Sequence, residues 1–324
     1  MPRLTITGEW DAQEEALDLA RRPGTDEVLV LRPSLPPALL DAGGRVRWQD
    51  HTGALAAAWT SKGDRLALGR EDGSVQILTP ESTDAPVTFR TPAPWVAALA
   101  WSPSGDQLAV AAGKTITWWD PLGRERGRWN QAPSTVADLH WPAQGPLAAC
   151  GYGGAWVFGQ PGAPPTRSLM WKGSSLKVRW SPNLKWLATA DQDKTVHVWP
   201  WPQGGDLMMG SFDAKALSLV WAPSGSHLAT SGSSTLLLWD CRGKGPGGKR
   251  PTVGPQQEGL ITDIDLARDY ATVDDQGALT VWAPDLKVAA QTDLGSPGVA
   301  GRWISERSLM AAQANGTVTL ATLE

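Results

Sequence analysis

The chain of 324 residues has only two cysteines, Cys150 and Cys241, which lie far apart in sequence. A disulfide framework or a structural zinc site needs several cysteines at close spacing, so neither is predicted. Histidine is also scarce, with four in total. No H-E-x-x-H segment, phosphate-binding glycine loop or G-x-S-x-G segment is present. The sequence therefore predicts a protein that is not an enzyme, with no catalytic residues, no metal ligands and no cofactor.

A long apolar run is missing as well. The first residues, MPRLTITGEWDAQEEALDLA, contain no continuous apolar stretch, unlike a secretory signal or a membrane anchor. A strong excess of one charge is also absent, because the formal net charge is −4. A basic surface for nucleic acid or for an acidic membrane is therefore not expected. Together these absences predict a cytoplasmic protein that contacts neither a membrane nor nucleic acid.

Aromatic residues other than tryptophan are rare, since 19 Trp stand beside two Tyr and three Phe, whereas 35 Gly and 26 Pro are spread along the chain. Frequent glycine and proline predict many tight turns. The stretch 96–120, VAALAWSPSGDQLAVAAGKTITWWD, contains three short apolar runs separated by turn residues. Runs this short are typical of strands, so the stretch predicts a three-stranded antiparallel meander.

The same pattern recurs along the chain at steps of about 40 residues. The first strand of each unit ends at Leu19, Trp59, Trp101, Trp141, Trp180, Trp221, Leu266 and Trp303. A fourth apolar run follows each unit except the last, whose missing run is similar to the N-terminal segment. A period of this length with four strands predicts a β-propeller. We therefore expect one all-β domain over residues 1–324, with eight four-stranded antiparallel blades and the last blade closed by the N-terminal strand.

The predicted blades begin near residues 10, 51, 93, 133, 173, 214, 257 and 296, and residues 1–9 complete the last one. The first unit matches the repeat least well, so seven blades is the alternative if that unit is only an edge. Four-stranded sheets with apolar residues on both faces must cover one another, which stacking of blades achieves.

Several motifs resemble the WD-repeat β-propeller family. They are Trp-Ser-Pro-Ser-Gly after the first strand, Leu-Ala-Thr or Leu-Ala-Val in the second, and Trp-Asp at the end of the third, at 119–120 and 239–240. Asp50-His51-Thr52-Gly53 is similar to the Gly-His element of the family. The resemblance implies a non-catalytic protein–protein interaction scaffold that binds a protein or peptide partner on one rim. We expect a monomer. The polar network of the family, which needs His, Ser or Thr, Asp and Trp within one blade, is complete in no blade of this sequence.

Residues 39–48, LLDAGGRVRW, and more loosely residues 119–129 resemble the docking repeat of eight-bladed quinoprotein-type propellers. This resemblance keeps an alternative function open, namely a quinoprotein-like or other propeller enzyme or ligand binder that uses the central channel. Such a site needs convergent polar side chains at the channel mouth. The residues that start the inner strands are mostly small or apolar, so the sequence favours the scaffold, with these two segments serving as blade packing.

One inner strand starts with a large aromatic residue, Trp95, which no other unit has at the corresponding place. Tyr152 falls in the turn between the second and third strands of the next unit, on the same rim of a propeller. Exposed Trp and Tyr side chains are typical anchors of binding surfaces. We therefore predict a partner-binding patch at Trp95 and Tyr152, with Lys114 and Trp171 nearby.

Overall fold

The computed structural model describes residues 2–50, 52–80, 82–210 and 212–324. Within these residues every regular element is a β-strand, as the short apolar runs predict. Consecutive strands pair into antiparallel sheets, which is the organisation of propeller blades. The chain divides into two compact units, and each has its own sheets: unit 1 is Met1–Gly53 with Gly210–Glu324, and unit 2 is Ala54–Met209.

Unit 1 begins with one strand that stands apart from the first meander. This strand, β1, spans Leu4–Asp11. Sheet 1 follows, with β2 (Asp18–Arg21), β3 (Val28–Leu31), β4 (Ala38–Leu40) and β5 (Val46–Gln49). Its two middle strands are buried along their whole length, whereas the outer β5 is largely exposed. The unit that matches the repeat least well in sequence therefore forms a complete four-stranded sheet.

Unit 2 contains three sheets. Sheet 2 consists of β6 (Ala56–Trp59), β7 (Leu66–Gly69), β8 (Ser74–Leu78) and β9 (Val87–Arg90). Sheet 3 consists of β10 (Val96–Trp101), β11 (Leu108–Ala112), β12 (Thr115–Trp119) and β13 (Glu125–Trp129). The first three strands of sheet 3 are the meander predicted for residues 96–120. Their first turn forms as expected, because Gly105 has a φ of 73° and the Ser102 hydroxyl donates to Asp106 at 2.7 Å.

Sheet 4 is the third sheet of unit 2 and has six strands. They are β14 (Val136–His140), β15 (Leu147–Phe158), β16 (Arg167–Trp180), β17 (Trp186–Asp191), β18 (Val196–Pro200) and β19 (Leu207–Met209). The strands β15 and β16 have 12 and 14 residues, about twice the length of their neighbours.

The prediction of eight four-stranded blades is wrong. Counting each hydrogen-bonded sheet as one blade, the described residues form seven, because the blades predicted to begin near 133 and 173 are joined in sheet 4. β16 continues through the boundary expected near 173, because it pairs with β15 as far as Ser174, opposite Tyr152, and with β17 from Ser175 onward. Gly153 and Gly154, with φ values of 98° and 116°, allow β15 to bulge rather than end there. Seven blades was the alternative prediction, and it rested on the weak match of the first unit. The structure instead reaches seven because two later units share one sheet.

The remaining strands belong to unit 1. Sheet 5 consists of β20 (Leu219–Trp221), β21 (His227–Thr230), β22 (Leu237–Asp240) and β23 (Thr252–Val253). Sheet 6 consists of β24 (Ile261–Leu266), β25 (Tyr270–Asp274), β26 (Ala278–Trp282) and β27 (Val288–Asp293). Sheet 7 consists of β28 (Gly298–Trp303), β29 (Ser308–Gln313), β30 (Thr317–Leu323) and the N-terminal β1.

The N-terminal strand completes the last sheet, as the sequence predicts. β1 pairs antiparallel with β30 from Leu4 opposite Leu323 to Asp11 opposite Thr317, with a bulge between Ile6 and Gly8. Residues 8–11 lie beside 317–320, and residues 4–7 lie beside the end of β30, so an expected pairing of residues 4–7 with 317–320 is wrong in register. The fourth strand of sheet 7 therefore comes from the opposite end of the chain.

Tryptophan and glycine shape the packing between sheets within unit 2. The rings of Trp118, Trp129, Trp156 and Phe158 contact one another across sheets 3 and 4, with centroids 5.1 to 5.5 Å apart. The Gly123 turn of sheet 3 lies so close to sheet 2 that a Cβ there would be 2.9 Å from Val87. The segment 119–129, which resembles a docking repeat, thus makes a blade-packing contact.

Part of the polar network typical of WD repeats is present in unit 1. The indole N–H of Trp239 donates to Thr230 at 3.0 Å, and that of Trp282 donates to Thr272 at 2.9 Å. Both bonds link the third strand of a sheet to its second strand. His51, from the Gly-His-like element, lies outside the described residues.

Candidate functional site

Trp95 immediately precedes the inner strand of sheet 3 and points outward. Its side chain is 57% exposed, whereas the next residue, Val96, is buried against Gly69 of sheet 2. The backbone is fixed on both sides, because Trp95 N–H donates to Glu71 O at 2.7 Å and Val96 N–H donates to Arg70 O at 3.2 Å. Trp95 has a φ of 62°, a left-handed conformation that a bulky residue rarely adopts. The local fold therefore holds this indole in solvent.

A shallow apolar cavity lies beside Trp95. Its volume is about 400 Å³. The walls come from the starts of three inner strands and from one turn: Leu55, Ala93, Pro94, Ala97, Gly113 and Thr135. None of these wall residues is charged, and a rigid aromatic edge next to an apolar recess is typical of a surface that receives a partner side chain.

Lys114 and Tyr152 continue from this cavity along the same series of turns. Lys114 follows Gly113, and its Nζ donates to Pro133 O at 3.0 Å. Pro133 also contacts the turn of Tyr152, since a Cβ on Gly153 would lie 3.5 Å from its ring. Tyr152 is 51% exposed. Trp95, Lys114 and Tyr152 thus lie on turns of unit 2 that follow one another along the sheets, and their common use as a binding patch stays a prediction.

Trp171 is placed differently from the other three residues. It is half-buried, and its ring contacts the His197 ring with centroids 4.0 Å apart. Its indole N–H has no hydrogen-bond partner among the described residues. Trp171, in β16, therefore packs on His197 of β18 rather than presenting its face to solvent. Its neighbour Lys172 is exposed.

A buried polar cluster lies beneath Trp171. His197 Nδ1 and Asp206 are 2.6 Å apart, and the Ser175 hydroxyl donates to Asp191 at 2.5 Å. Burial raises the pKa of Asp191 to about 6, against the opposing effect of the Ser175 hydrogen bond and of His197. Each polar group has a partner inside the sheet. The cluster thus fixes the end of β17 through Asp191, and its His197 ring contacts Trp171.

The sequence reasoning missed a second polar arrangement, which joins neighbouring inner strands in unit 2. Asp138 accepts the Val178 N–H at 3.0 Å and the Arg179 guanidinium at 2.5 Å. Two residues further on, His140 Nδ1 accepts the Trp180 N–H at 2.9 Å. Carboxylate and imidazole acceptors thus replace backbone pairing where two inner strands approach without forming a ladder.

The same arrangement recurs in unit 1. Asp263 accepts the Gly301 N–H at 3.1 Å and is also bonded to Arg302, and Asp265 accepts the Trp303 N–H at 2.8 Å. The signal was present in the sequence as Asp-x-His or Asp-x-Asp at the end of one inner strand and Arg-Trp at the end of the next. The arrangement was missed because, when each repeat is considered alone, an aspartate near the end of a strand resembles one that forms a turn.

The segment 39–48 also has a structural role. Asp41 accepts the N–H groups of Gly43 and Arg45 at 2.9 and 3.0 Å, and Leu39 pairs with Trp48. These contacts make a tight hairpin between β4 and β5. Among the described residues, no group of His, Cys, Asp and Glu is arranged to hold a metal ion.

No helix within the part of the chain that the structure describes is long and apolar enough to cross a membrane.

The family model described as "WD domain, G-beta repeat" matches residues 86–120, 171–200 and 208–240. The first match begins at the fourth strand of sheet 2 and ends with the third strand of sheet 3. This match therefore takes its strands from two consecutive sheets, whereas the match at 171–200 lies within sheet 4.

Solved structures of propeller type resemble the whole chain. The C-terminal WD40 domain of Sif2 matches with a TM-score of 0.82 at 13% identity, over 99% of this chain and 99% of that one. Sqt1 of Saccharomyces cerevisiae matches with 0.79 at 11% identity, over 98% of each. BamB of Moraxella catarrhalis matches with 0.73 at 14% identity, over 98% of this chain and 99% of that one. At these identities the matches establish the fold.

Proposed function

We propose that this chain, a β-propeller that carries WD40 repeats, is a non-catalytic scaffold that binds a protein or peptide partner on the rim marked by Trp95. The observation that carries the proposal is the conformation of Trp95. A large aromatic side chain is held in solvent by a left-handed backbone and borders an apolar cavity. Propellers with WD40 repeats commonly act as protein-interaction scaffolds, which agrees with this use of the rim.

The energetics of Trp95 argue for a selected role. A residue with a Cβ in the left-handed region costs on the order of 1 kcal/mol or more. Exposure of the indole also forgoes the stabilisation of about 2 kcal/mol that burial of such a side chain provides. Glycine would satisfy the same backbone without either cost. The tryptophan is therefore explained better by contact with a partner than by the stability of unit 2.

Lys114 and Tyr152 supply the polar and amphipathic parts of the proposed patch. Lys114 Nζ donates one hydrogen bond, to Pro133 O, and makes no ion pair with any described residue. Its charge is thus available to an acidic group of the partner. Tyr152 offers a ring and a hydroxyl at the far end of the same line of turns. Trp171 is the fourth residue of the patch. It supports β16 rather than contacting the partner, because its ring is packed on His197.

We further propose that the chain acts as a single propeller domain, as a monomer in the cytoplasm. The net charge of −4 supports a protein or peptide partner over nucleic acid. The two segments that resemble docking repeats have structural roles, since 39–48 forms the β4–β5 hairpin and 119–129 packs against sheet 2, which favours the scaffold over a cofactor-binding channel.

A comparative pull-down tests the scaffold function. Wild type, Trp95→Ala and Met208→Ala are immobilised and exposed to lysate of the source cells, and bound proteins are quantified by mass spectrometry. Met208 is the matched control, because it is 59% exposed in the same unit but lies on the outer strand β19. Loss of an anchoring Trp typically weakens binding by about 2 kcal/mol or roughly thirtyfold. We expect Trp95→Ala to lose partners that wild type and Met208→Ala retain.

Tyr152→Ala and Lys114→Glu extend the test along the patch and should weaken capture of the same partners to a smaller degree. Circular dichroism and thermal unfolding check that each variant is folded. If Trp95→Ala captures every partner at the wild-type level, the proposed surface is wrong.

A further inference from the structure

A second cavity, which shares no lining residue with the cavity at Trp95, lies between sheets 5 and 6 of unit 1. Its volume is about 520 Å³. The outer strand β23 has only two residues and contributes Thr252 to the wall. At the corresponding position of sheet 3 the fourth strand carries a large side chain, Trp129 opposite Ile116. Here the residue is Gly254, whose N–H donates to Leu236 O.

Gly254 packs directly against sheet 6 beside this cavity. A Cβ on Gly254 would lie 2.7 Å from the Trp282 ring, so the fourth strand cannot supply a large side chain. Instead, Trp282 and Leu286 of sheet 6 form the floor, and both are buried. Leu238 and Leu266 form apolar sides. An apolar cavity of this size is suited to a molecule of one or two rings.

Two polar side chains open into this apolar cavity. Tyr270 is only 8% exposed, yet its hydroxyl forms no hydrogen bond with any residue that the structure describes. Burial raises the pKa of Tyr270 to about 12, so the hydroxyl keeps its proton and can donate it. His227 lines the same cavity and bonds to the Ser226 hydroxyl through Nδ1 at 2.9 Å. Its Nε2 has no described partner.

The charges of the wall indicate a neutral ligand. The cavity is bordered by Arg268, Asp269 and Asp285. Arg268 is paired with Asp269 at 2.9 Å, and Asp285 is paired with Lys287 at 2.7 Å. No cation of the described wall is left free to neutralise a carboxylate, and the two aspartates would repel one.

We propose that this cavity is a binding site for a small neutral molecule with an apolar body of one or two rings and a carbonyl or hydroxyl oxygen. The oxygen accepts the Tyr270 O–H, and His227 Nε2 provides the second polar contact. The apolar body lies against Trp282 and Leu286. The site is independent of the patch at Trp95, and the two are tested separately.

Ligand-observed saturation-transfer NMR tests the site with two probes of one shape. 4-Phenylbutan-2-one is the neutral ketone, and 4-phenylbutyrate is the carboxylate. We expect the ketone to bind wild type and the carboxylate to bind more weakly. Tyr270→Phe should weaken the ketone about fivefold, the effect of one lost neutral hydrogen bond. Tyr152→Phe removes the hydroxyl of the only other tyrosine and should leave ketone binding unchanged.

A blocking variant keeps the test decisive if Tyr270→Phe is unstable. Ala222 lines the cavity on a turn of sheet 5 and is half-buried, so Ala222→Phe should fill the space and abolish the ketone signal. The proposal is overturned if the ketone gives no signal with wild type at millimolar concentration. It is equally overturned if Tyr270→Phe and Ala222→Phe bind the ketone as wild type does.

Discussion

His140 makes a charge-sensitive contact between two inner strands of unit 2. Its Nδ1 accepts the Trp180 N–H, which requires a neutral ring. Dehydration, and then the positive charge of Arg179, lower the pKa of His140 to about 3. In the unfolded chain the pKa is near 6.5. The unfolded state therefore takes up a proton first as the pH falls, and the stability that His140 contributes above pH 6.5 is lost toward pH 3.

Replacement of His140 by Asn should flatten this acid dependence. An Asn side chain can accept the Trp180 N–H but does not titrate. Between pH 7 and pH 5 wild type should lose about 2 kcal/mol more unfolding free energy than His140→Asn. Urea denaturation at both pH values measures the difference. Asp191, whose raised pKa acts in the opposite direction, is common to both proteins and cancels. An unchanged slope in His140→Asn would contradict the argument.

Leu286 combines a left-handed backbone with complete burial. Its φ is 61°, and its side chain packs with Trp282 and Leu236. Comparable turns use glycine, such as Gly123 in sheet 3 with a φ of 74°. Leu286 also lines the cavity between sheets 5 and 6. At this position, burial of the side chain thus outweighs the backbone preference.

The balance at Leu286 predicts an unusual order of stability. Leu286→Ala should lose about 3 kcal/mol for the cavity it leaves. Leu286→Gly loses the same side chain but relieves backbone strain of about 1 kcal/mol, so it should be at least as stable as Leu286→Ala. At Leu228, buried within β21, the order should be the usual one, with Gly about 1 kcal/mol below Ala. Thermal unfolding of the four variants decides this, and a Gly variant less stable than Ala at 286 would refute the strain argument.

At the scale of elements, the long hairpin β15–β16 depends on a single glycine. Gly154 has a φ of 116°, and a Cβ there would lie 2.0 Å from Leu169 O and 2.8 Å from Trp171 N. The close approach is what lets β15 continue beside β16 past the expected turn. The close pairing of β15 with β16 therefore rests on a backbone contact that no larger residue permits.

Gly154→Ala should cost about 3 kcal/mol or more, because either the strand pairing or the Leu169 carbonyl must move. Gly205→Ala is the matched control within unit 2. Gly205 has a similar φ of 104°, but a Cβ added there would meet no atom within 4 Å, so this substitution should cost only about 1 kcal/mol of backbone strain. Denaturant midpoints measure both. Equal losses in the two variants would show that the tight contact at Gly154 is unimportant.

The meander at 96–120 illustrates what the sequence predicts well. Short apolar runs and the turn residues between them are local signals, and the predicted strands are found where these signals recur. The blade count was not predictable in the same way. Whether a Gly-Gly pair ends a strand or forms a bulge depends on hydrogen bonds to residues about 20 positions away, as at Tyr152 and Ser174.

The candidate site shows the same division between local and distant information. A lone tryptophan at the start of an inner strand is visible in the sequence, and its exposure follows from that position. The burial of Trp171 was not visible, because it depends on His197 reaching it from a neighbouring part of sheet 4. The Asp138 and His140 contacts were missed for a similar reason, since their partners lie one whole repeat further along the chain.

For the molecule as a whole, the pairing of β1 with β30 joins the two ends of the chain within unit 1. Eight residues of β1 cover β30, and Leu4 is buried against sheets 6 and 7. Ala12 N–H extends the pairing by donating to Gly316 O at 2.8 Å. Without β1, the backbone of β30 would become an exposed edge, and the buried face of sheet 7 would lose part of its cover.

Removal of residues 2–12 should therefore destabilise unit 1 by about 3 kcal/mol. Hydrogen exchange followed by mass spectrometry should show the amides of β30 losing protection first, because they face the missing strand. A synthetic peptide of residues 2–12 added in trans should restore protection to β30, whereas a scrambled peptide of the same composition should not. The peptide supplies the same backbone pairing and the same Leu4 contact as the covalent strand, so rescue would depend on its concentration. Full protection of β30 in the shortened chain without peptide would mean that β1 adds nothing to the stability of sheet 7.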